Sequence, residues 1–254
     1  MNERERTISS LLCRHGELSS EQLATLLGIS TASVRRDLAA LSQPRFMERT
    51  RGGARLSSAI HYEALPTYRL PIDPEEARAI AWQAAQLIEP GDVIAMSGGQ
   101  ICTHLARHVA LLTGVTVVTN AVNIAAELAA LPGIRVMVTG GYLNPGSFEL
   151  VGQAVALSLN GVHVHKFFLG TNGLSPDCGV TNNDEAEALA ARALMEHADT
   201  TIVLADSTKF KRASFAQVAP ISAIDAIVTT DRVAGDVRAE FERAGLRLIV
   251  APCT

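Results

Sequence analysis

Two sets of side chains in this sequence have types and spacings suited to chemistry. In the first, Ser30, Thr31 and Ser33 put hydroxyls at the start of a predicted helix, and Arg35 and Arg36 follow within a turn. Hydroxyls and guanidiniums so placed suit the base edges and phosphates of double-stranded DNA. Arg49 and Arg51 come next, beside Gly52-Gly53. The second set is Ser97-Gly98-Gly99-Gln100, where two glycines at a predicted strand-to-helix junction let backbone amides approach an anion. Thr119-Asn120, Gly140-Gly141, Gly170 and Asp206-Ser207-Thr208-Lys209 stand at further predicted strand ends, and all are expected to converge on one crevice. The chain has three lysines, Lys166, Lys209 and Lys211, so one kept in such a loop is notable as a point charge for phosphate or carboxylate. Set against these readings are a solvated arginine pair, an ordinary strand-to-helix turn and a surface lysine.

The elements that must position these groups are legible on either side of them. Ile8, Leu11 and Leu12 mark a first helix that stops at Gly16. Ser19 and Gln22 form a capping-box pattern ahead of Leu23, Leu26 and Leu27. Gly28 supplies a left-handed turn, and Ser30 caps a third helix that buries Val34, Leu38 and Leu41 and directs Arg35 and Arg36 outward. The reading surface is expected to run from Thr31 through Asp37. Residues 46–56 lack helical periodicity, contain the Gly-Gly break and predict a β wing. Three prolines, Pro66, Pro71 and Pro74, predict a linker over 58–74 between a head of residues 1–57 and a larger domain of 75–254. Beyond it, β-branched runs at 93–96, 115–119, 134–139, 164–169, 201–205, 224–229 and 246–250 alternate with helical stretches. This predicts an α/β fold with a mostly parallel, Rossmann-like sheet.

Charge separates the two parts. Residues 1–57 hold nine Arg and no Lys against six carboxylates, a net +3, whereas the remainder holds 13 basic and 20 acidic residues, a net −7. A polyanion is therefore expected at the head. The four cysteines, Cys13, Cys102, Cys178 and Cys253, lack paired spacing and read as reduced thiols. The N-terminus is charged where a signal peptide needs an apolar core, and no run approaches the ~18 apolar residues of a membrane span. A cytoplasmic protein with no membrane partner is the expectation.

The head resembles that of the DeoR family of bacterial regulators, through LSSEQLATLLGISTASVRRDLAALS and the following ERTRGGA. The resemblance implies that Thr31, Ser33, Val34, Arg35, Arg36 and Asp37 belong to the recognition helix and Arg49, Arg51, Gly52 and Gly53 to the wing. The chain departs from the pattern at Gln43-Pro44-Arg45, where a proline precedes the wing. Residues 75–251 resemble the family's sensor half through TNAVNIAAELA, VMVTGG, SFELVG, FFLGTNG, DEAEA and LADSTKF. That half shares its fold with ribose-5-phosphate isomerase and binds phosphorylated sugars. On the resemblance, Ser97, Gly98, Gly99, Gln100, Thr119, Asn120, Gly140, Gly141, Asp206 and Lys209 line the effector pocket. Three departures weaken a side-chain grip on a dianion. Gln100-Ile101-Cys102 stand where the family has three Thr, Asn144-Pro145 where it often has Arg, and His165 where it has Asp. A non-phosphorylated effector is left open.

These readings favour a repressor of carbohydrate or amino-sugar catabolism genes. It would be a homodimer or homotetramer on a two-fold operator, controlled by a sugar-derived metabolite and in need of no cofactor. A sugar-phosphate isomerase or deacylase with a DNA-binding head is the alternative, for which Asp206, Lys209 and Glu185 are candidate groups outside any catalytic motif. A metal sensor is a third reading. It rests on His104 and His108 at helical i, i+4 spacing, without a third ligand in the pattern.

Overall fold

A computed structural model describes residues 3–41, 47–56, 72–129, 131 and 133–253. The chain divides into two compact units, residues 1–64 and 65–254. The predicted linker lies mostly outside the described residues, as does the Gln43-Pro44-Arg45 departure.

In the first unit, α1 (Glu3–His15), α2 (Ser20–Leu27) and α3 (Thr31–Leu41) pack with a sheet of β1 (Glu17–Ser19), β2 (Met47–Thr50) and β3 (Gly53–Leu56), in the order β1-β3-β2. The capping box forms: the Ser19 hydroxyl accepts from the Gln22 amide at 3.1 Å, and the Ser19 amide donates to Gln22 Oε1 at 2.8 Å. Gly28 is left-handed at φ 65° and closes α2. Ile8, Leu12, Leu23, Val34 and Leu38 are completely buried and form the core. Leu26 departs from the expected apolar face and is 54% exposed. Gly53 is required by close approach, because a Cβ there would lie 2.1 Å from the Leu18 carbonyl oxygen.

The second unit is built on seven parallel strands. They are β4 (Val93–Met96), β5 (Val115–Thr119), β6 (Ile134–Val138), β9 (Val164–Gly170), β12 (Ala198–Leu204), β14 (Ala226–Thr230) and β15 (Arg247–Ala251), in the order β15-β14-β12-β9-β4-β5-β6. All seven β-branched runs are strands of this sheet. Helices cover both faces: α4 (Pro74–Ala85), α5 (Gln100–Val109) and α6 (Val122–Leu128) on one, and α7 (Gln153–Ser158), α8 (Glu185–Met195) and α9 (Gly235–Arg243) on the other. Ile94, Met96 and Phe168 therefore point into the first layer, and Ala95, Phe167 and Leu169 into the second. Short antiparallel pieces escape the sequence reading. They are the hairpin β7 (Tyr142–Asn144) with β8 (Glu149–Val151), and a sheet of β10 (Gly173–Ser175), β11 (Gly179–Asn182) and β13 (Ala216–Ala219).

Strand order reverses at the centre. From β4 the chain moves outward through β5 and β6, then returns to β9 on the other side of β4 and proceeds to β12, β14 and β15. The switch point therefore lies between the carboxyl ends of β4 and β9, where an open α/β sheet leaves a crevice.

Candidate functional site

In the head, the Ser30 hydroxyl accepts from the Ser33 amide at 3.2 Å, so Ser30 caps α3 and Thr31 and Ser33 stand half-buried in its first turn. Arg35 and Arg36 are exposed. Arg35 lies 3.9 Å from the exposed Glu21 carboxylate, a weak surface pair, while Arg36 donates to Ser33 Oγ at 3.2 Å. Val34 is buried as expected, and the expected reading surface needs correction at Asp37. Asp37 shares the inward face with Val34, Leu38 and Leu41, and both its oxygens take Arg4 of α1, at 2.7 and 2.9 Å. Arg49 on β2 and Arg51 in the turn before Gly52 are exposed, and Gly52 has φ 100°. The Glu48–Arg55 pair at 2.8 Å crosses the wing between β2 and β3.

In the larger unit, a small open cleft occupies the switch point. Its walls come from Gly98 to Cys102, Gly170 to Asn172, Asn182, Leu204, Lys209, Glu149 and Ile72. Gly98, Gly99, Gln100 and Lys209 of the sequence-predicted set thus meet here. Gly99 caps α5 with φ 111° and no side-chain hydrogen bond, so the first-turn amides lack a side-chain acceptor. Lys209 is 5% exposed and ends a 3-10 turn, Ser207–Lys209. Its ammonium lies 3.5 Å from Asp206 Oδ2, and Asp206 is fully buried and caps the turn through the Thr208 amide at 2.9 Å.

The remaining predicted residues support the cleft without lining it. The Ser97 hydroxyl accepts from the Gly170 amide at 2.9 Å and thereby pins the end of β4 to that of β9. Thr119 donates to the Met96 carbonyl at 2.7 Å and accepts from the Ala121 amide at 3.0 Å. Asn120 donates to Glu149 Oε2 at 3.2 Å and to the Leu150 carbonyl at 3.1 Å. At Gly140 the amide donates to Ser158 Oγ, and a Cβ on Gly141 would lie 2.6 Å from the Val151 carbonyl oxygen. These two glycines seat the β7–β8 hairpin.

Glu149 is the lining residue that sequence reasoning missed. It is 4% exposed and held by Asn120, and it packs so closely that a Cβ on Gly98 would lie 2.5 Å from its carboxyl oxygen. The signal for it was a carboxylate inside an apolar Phe-Glu-Leu-Val run. Asn172 and Asn182 were also missed. Among the described lining residues, Lys209 is the cation and Glu149 the acid.

Two of the departures noted in the sequence act away from the cleft. Asn144 donates to Glu187 Oε1 at 3.0 Å. His165 sits at the opposite end of the sheet, 3.3 Å from Asp92 Oδ1. Burial works against ionisation of Asp92, but the Lys166 ammonium at 2.6 Å, the Glu89 amide and His165 hold its carboxyl below the usual range. His104 and His108 lie on α5. Burial, reinforced by Arg107, Arg78 and His108, pushes His104 down to about 3, and burial with Arg107 pushes His108 down to about 4. Among the described residues no group of three or more His, Cys, Asp or Glu is placed to hold a metal ion. No described helix is long and apolar enough to cross a membrane.

A winged helix-turn-helix joined to a doubly wound sheet with a polar crevice at its switch point defines a ligand-responsive regulator of transcription. Family models match both parts: the DeoR-like helix-turn-helix domain over residues 4–59 and the DeoR C-terminal sensor domain over residues 72–231. The chain belongs to the DeoR family. It is 32% identical to the HTH-type transcriptional repressor GlcR of Bacillus subtilis, over 98% of this chain and 97% of that protein. It is 29% identical to a putative aga operon transcriptional repressor of Escherichia coli O157:H7, over 98% and 93%. A solved D-ribose-5-phosphate isomerase in complex with phospho-erythronic acid aligns with 56% of this chain and 55% of its own, at 14% identity and TM-score 0.42.

Proposed function

We propose that this regulator represses carbohydrate or amino-sugar genes and is controlled by a sugar-derived metabolite seated in the switch-point cleft. The observation that carries the reading is the meeting of the uncapped α5 N-terminus with Lys209 and Glu149. An anionic group is expected over the amides of Gly98 to Cys102, opposite Lys209, because a helix start and a buried ammonium both favour negative charge. Hydroxyls of the ligand then turn to Glu149, Asn172 and Asn182, the acceptors and amides of the other wall. Ser30, Thr31, Ser33, Arg35, Arg36, Arg49 and Arg51 form the DNA-binding surface. Residues 1–57 act as the head, 58–74 as the connection and 75–254 as the sensor, in a cytoplasmic homodimer or homotetramer.

Calorimetric titration of the full chain with fructose 6-phosphate, glucosamine 6-phosphate, glycerol 3-phosphate and the free sugars tests the cleft. Binding of at least one compound, weakened tenfold or more in Lys209→Met, is the expected result. Equal binding by Lys209→Met, or no binding of any compound, overturns the assignment.

A further inference from the structure

Glu76 is a carboxylate buried to 3% exposure that takes no part in the cleft wall. It projects from the first turn of α4, two residues after Pro74 begins the helix. Its partners all lie at the carboxyl end of the sheet, more than a hundred residues away in sequence. Ser207 donates twice, through its amide to Oε2 at 3.0 Å and its hydroxyl to Oε1 at 2.7 Å, and the Thr230 hydroxyl donates to Oε2 at 2.6 Å. Ser207 opens the same three-residue turn that Lys209 closes. A buried carboxylate held by charge-assisted bonds of this kind is stiff and costly to leave unpaired.

The turn and the start of α4 are joined in other ways. Ile72 lines the cleft, and Asp73, next to it, caps α4 by accepting from the Glu75 amide at 2.8 Å. Asp73 and Glu75 both pair with Arg232, just beyond β14. Upstream of Ile72, residues 57–71 lead back to the DNA-binding head. The first turn of α4 is the first described helical turn after that stretch of sequence, and it is bolted to the turn carrying the pocket's cation.

We infer that Glu76 is a positioning residue that transmits occupancy of the Lys209 cleft to the start of α4, and so to the segment leading to the head. The inference rests on the proposed ligand site. A ligand alters an equilibrium only by interacting differently with its two states. An anion drawn to Lys209 competes with Asp206 for the ammonium, and any resulting shift of the short turn loads the Ser207–Glu76 bonds. Glu76→Gln removes the charge and one acceptor while keeping the side-chain size, and it leaves every cleft-lining residue unchanged.

Trp82 is the chain's one tryptophan and lies on α4, edge-on to His108 with ring centroids 5.6 Å apart, so its fluorescence reports on this helix. The experiment uses full-length wild type, Glu76→Gln and Ser207→Ala. Calorimetry measures binding of the sugar phosphates named above, Trp82 emission is followed in the same titrations, and affinity is measured for a duplex selected in vitro on the wild-type chain. The wild type is expected to show a Trp82 change on ligand binding and a coupling of roughly 5- to 150-fold on DNA affinity. In Glu76→Gln ligand affinity stays within about threefold of wild type, while coupling falls to within about twofold and the Trp82 response is lost. Ser207→Ala is intermediate and guards against a folding defect peculiar to position 76. Coupling equal to wild type in both variants, with ligand binding intact, overturns the inference and leaves the ligand site standing. Absence of calorimetric binding in the wild type overturns the ligand site and the inference with it.

Discussion

Acidification from pH 7.5 to 5.0 should destabilise the sensor unit by about 2 kcal/mol through His108 alone. The ring is 4% exposed, and burial beside Arg107 holds its pKa at about 4, against an ordinary value of 6.5. The folded state therefore keeps His108 neutral through a range in which the unfolded chain takes up a proton. The sign follows: stability is fully present above pH 6.5 and is lost as pH falls towards the folded value. With 6.5 for the unfolded state and 4 for the folded, the differential proton uptake at pH 5.0 amounts to about 2 kcal/mol, consistent with 1.36 kcal/mol per unit over 1.5 units. His104 acts with the same sign, whereas Glu127, raised by burial although Arg107 lies 3.6 Å away, acts with the opposite one. Both persist when His108 is replaced, so a difference measurement isolates the one ring. Urea denaturation followed by Trp82 emission, for wild type and His108→Gln between pH 7.5 and 5.0, provides it. The wild-type free energy should fall about 2 kcal/mol more steeply than that of the variant. Parallel profiles would refute the claim that His108 is held neutral.

Two further outcomes concern the head. Gly53→Ala places a methyl group 2.1 Å from the Leu18 carbonyl oxygen and must part β1 from β3, at a cost of roughly 1–3 kcal/mol. Far-ultraviolet melting should gain an early transition and DNA affinity should fall, with the Trp82 transition unmoved; a single unchanged melt would contradict the packing described. Replacing Arg35 and Arg36 together by Ala should reduce the slope of log affinity against log salt by about 1–2, since each phosphate contact contributes about 0.9. An unchanged slope would remove both residues from the DNA surface.

How far the sequence revealed this molecule depended on the range of the interaction. The Ser19–Gln22 box, the left-handed Gly28 and the Ser30 cap were legible because each is a contact within a few residues, made by particular side-chain types. The seven strands were legible because strands buried on both faces are continuous apolar runs. Asp37 was misplaced because an acid on a helix suggests solvent, and its partner Arg4 lies 33 residues away. Thr119 was expected to face the ligand, but parallel pairing of β4 with β5 sets it opposite Met96, and the Met96 carbonyl takes its hydroxyl. Glu149 was missed for a related reason, although a carboxylate in an apolar run marked the segment. Its place in the cleft depends on a three-residue-strand hairpin folding back over the sheet and on the missing side chain of Gly98, neither of which leaves a periodic trace.

The same geometry determines where a ligand's binding energy can become movement. At the α5 side of the cleft the donors are backbone amides of a helix whose apolar face is locked into the core, so an anion there finds partners already in place. At the opposite side the donor is an ammonium already paired with Asp206, whose other oxygen holds the Thr208 amide. An incoming anion must share or displace that partner, and displacing it disturbs the cap of the turn as well as the ion pair. Buried polar contacts of this kind exist in discrete arrangements because a half-satisfied group is expensive. If the proposed ligand site holds, the response should concentrate between Asp206 and Lys209, and Ser207, bonded twice to Glu76, is the residue of that turn placed to carry it out of the cleft.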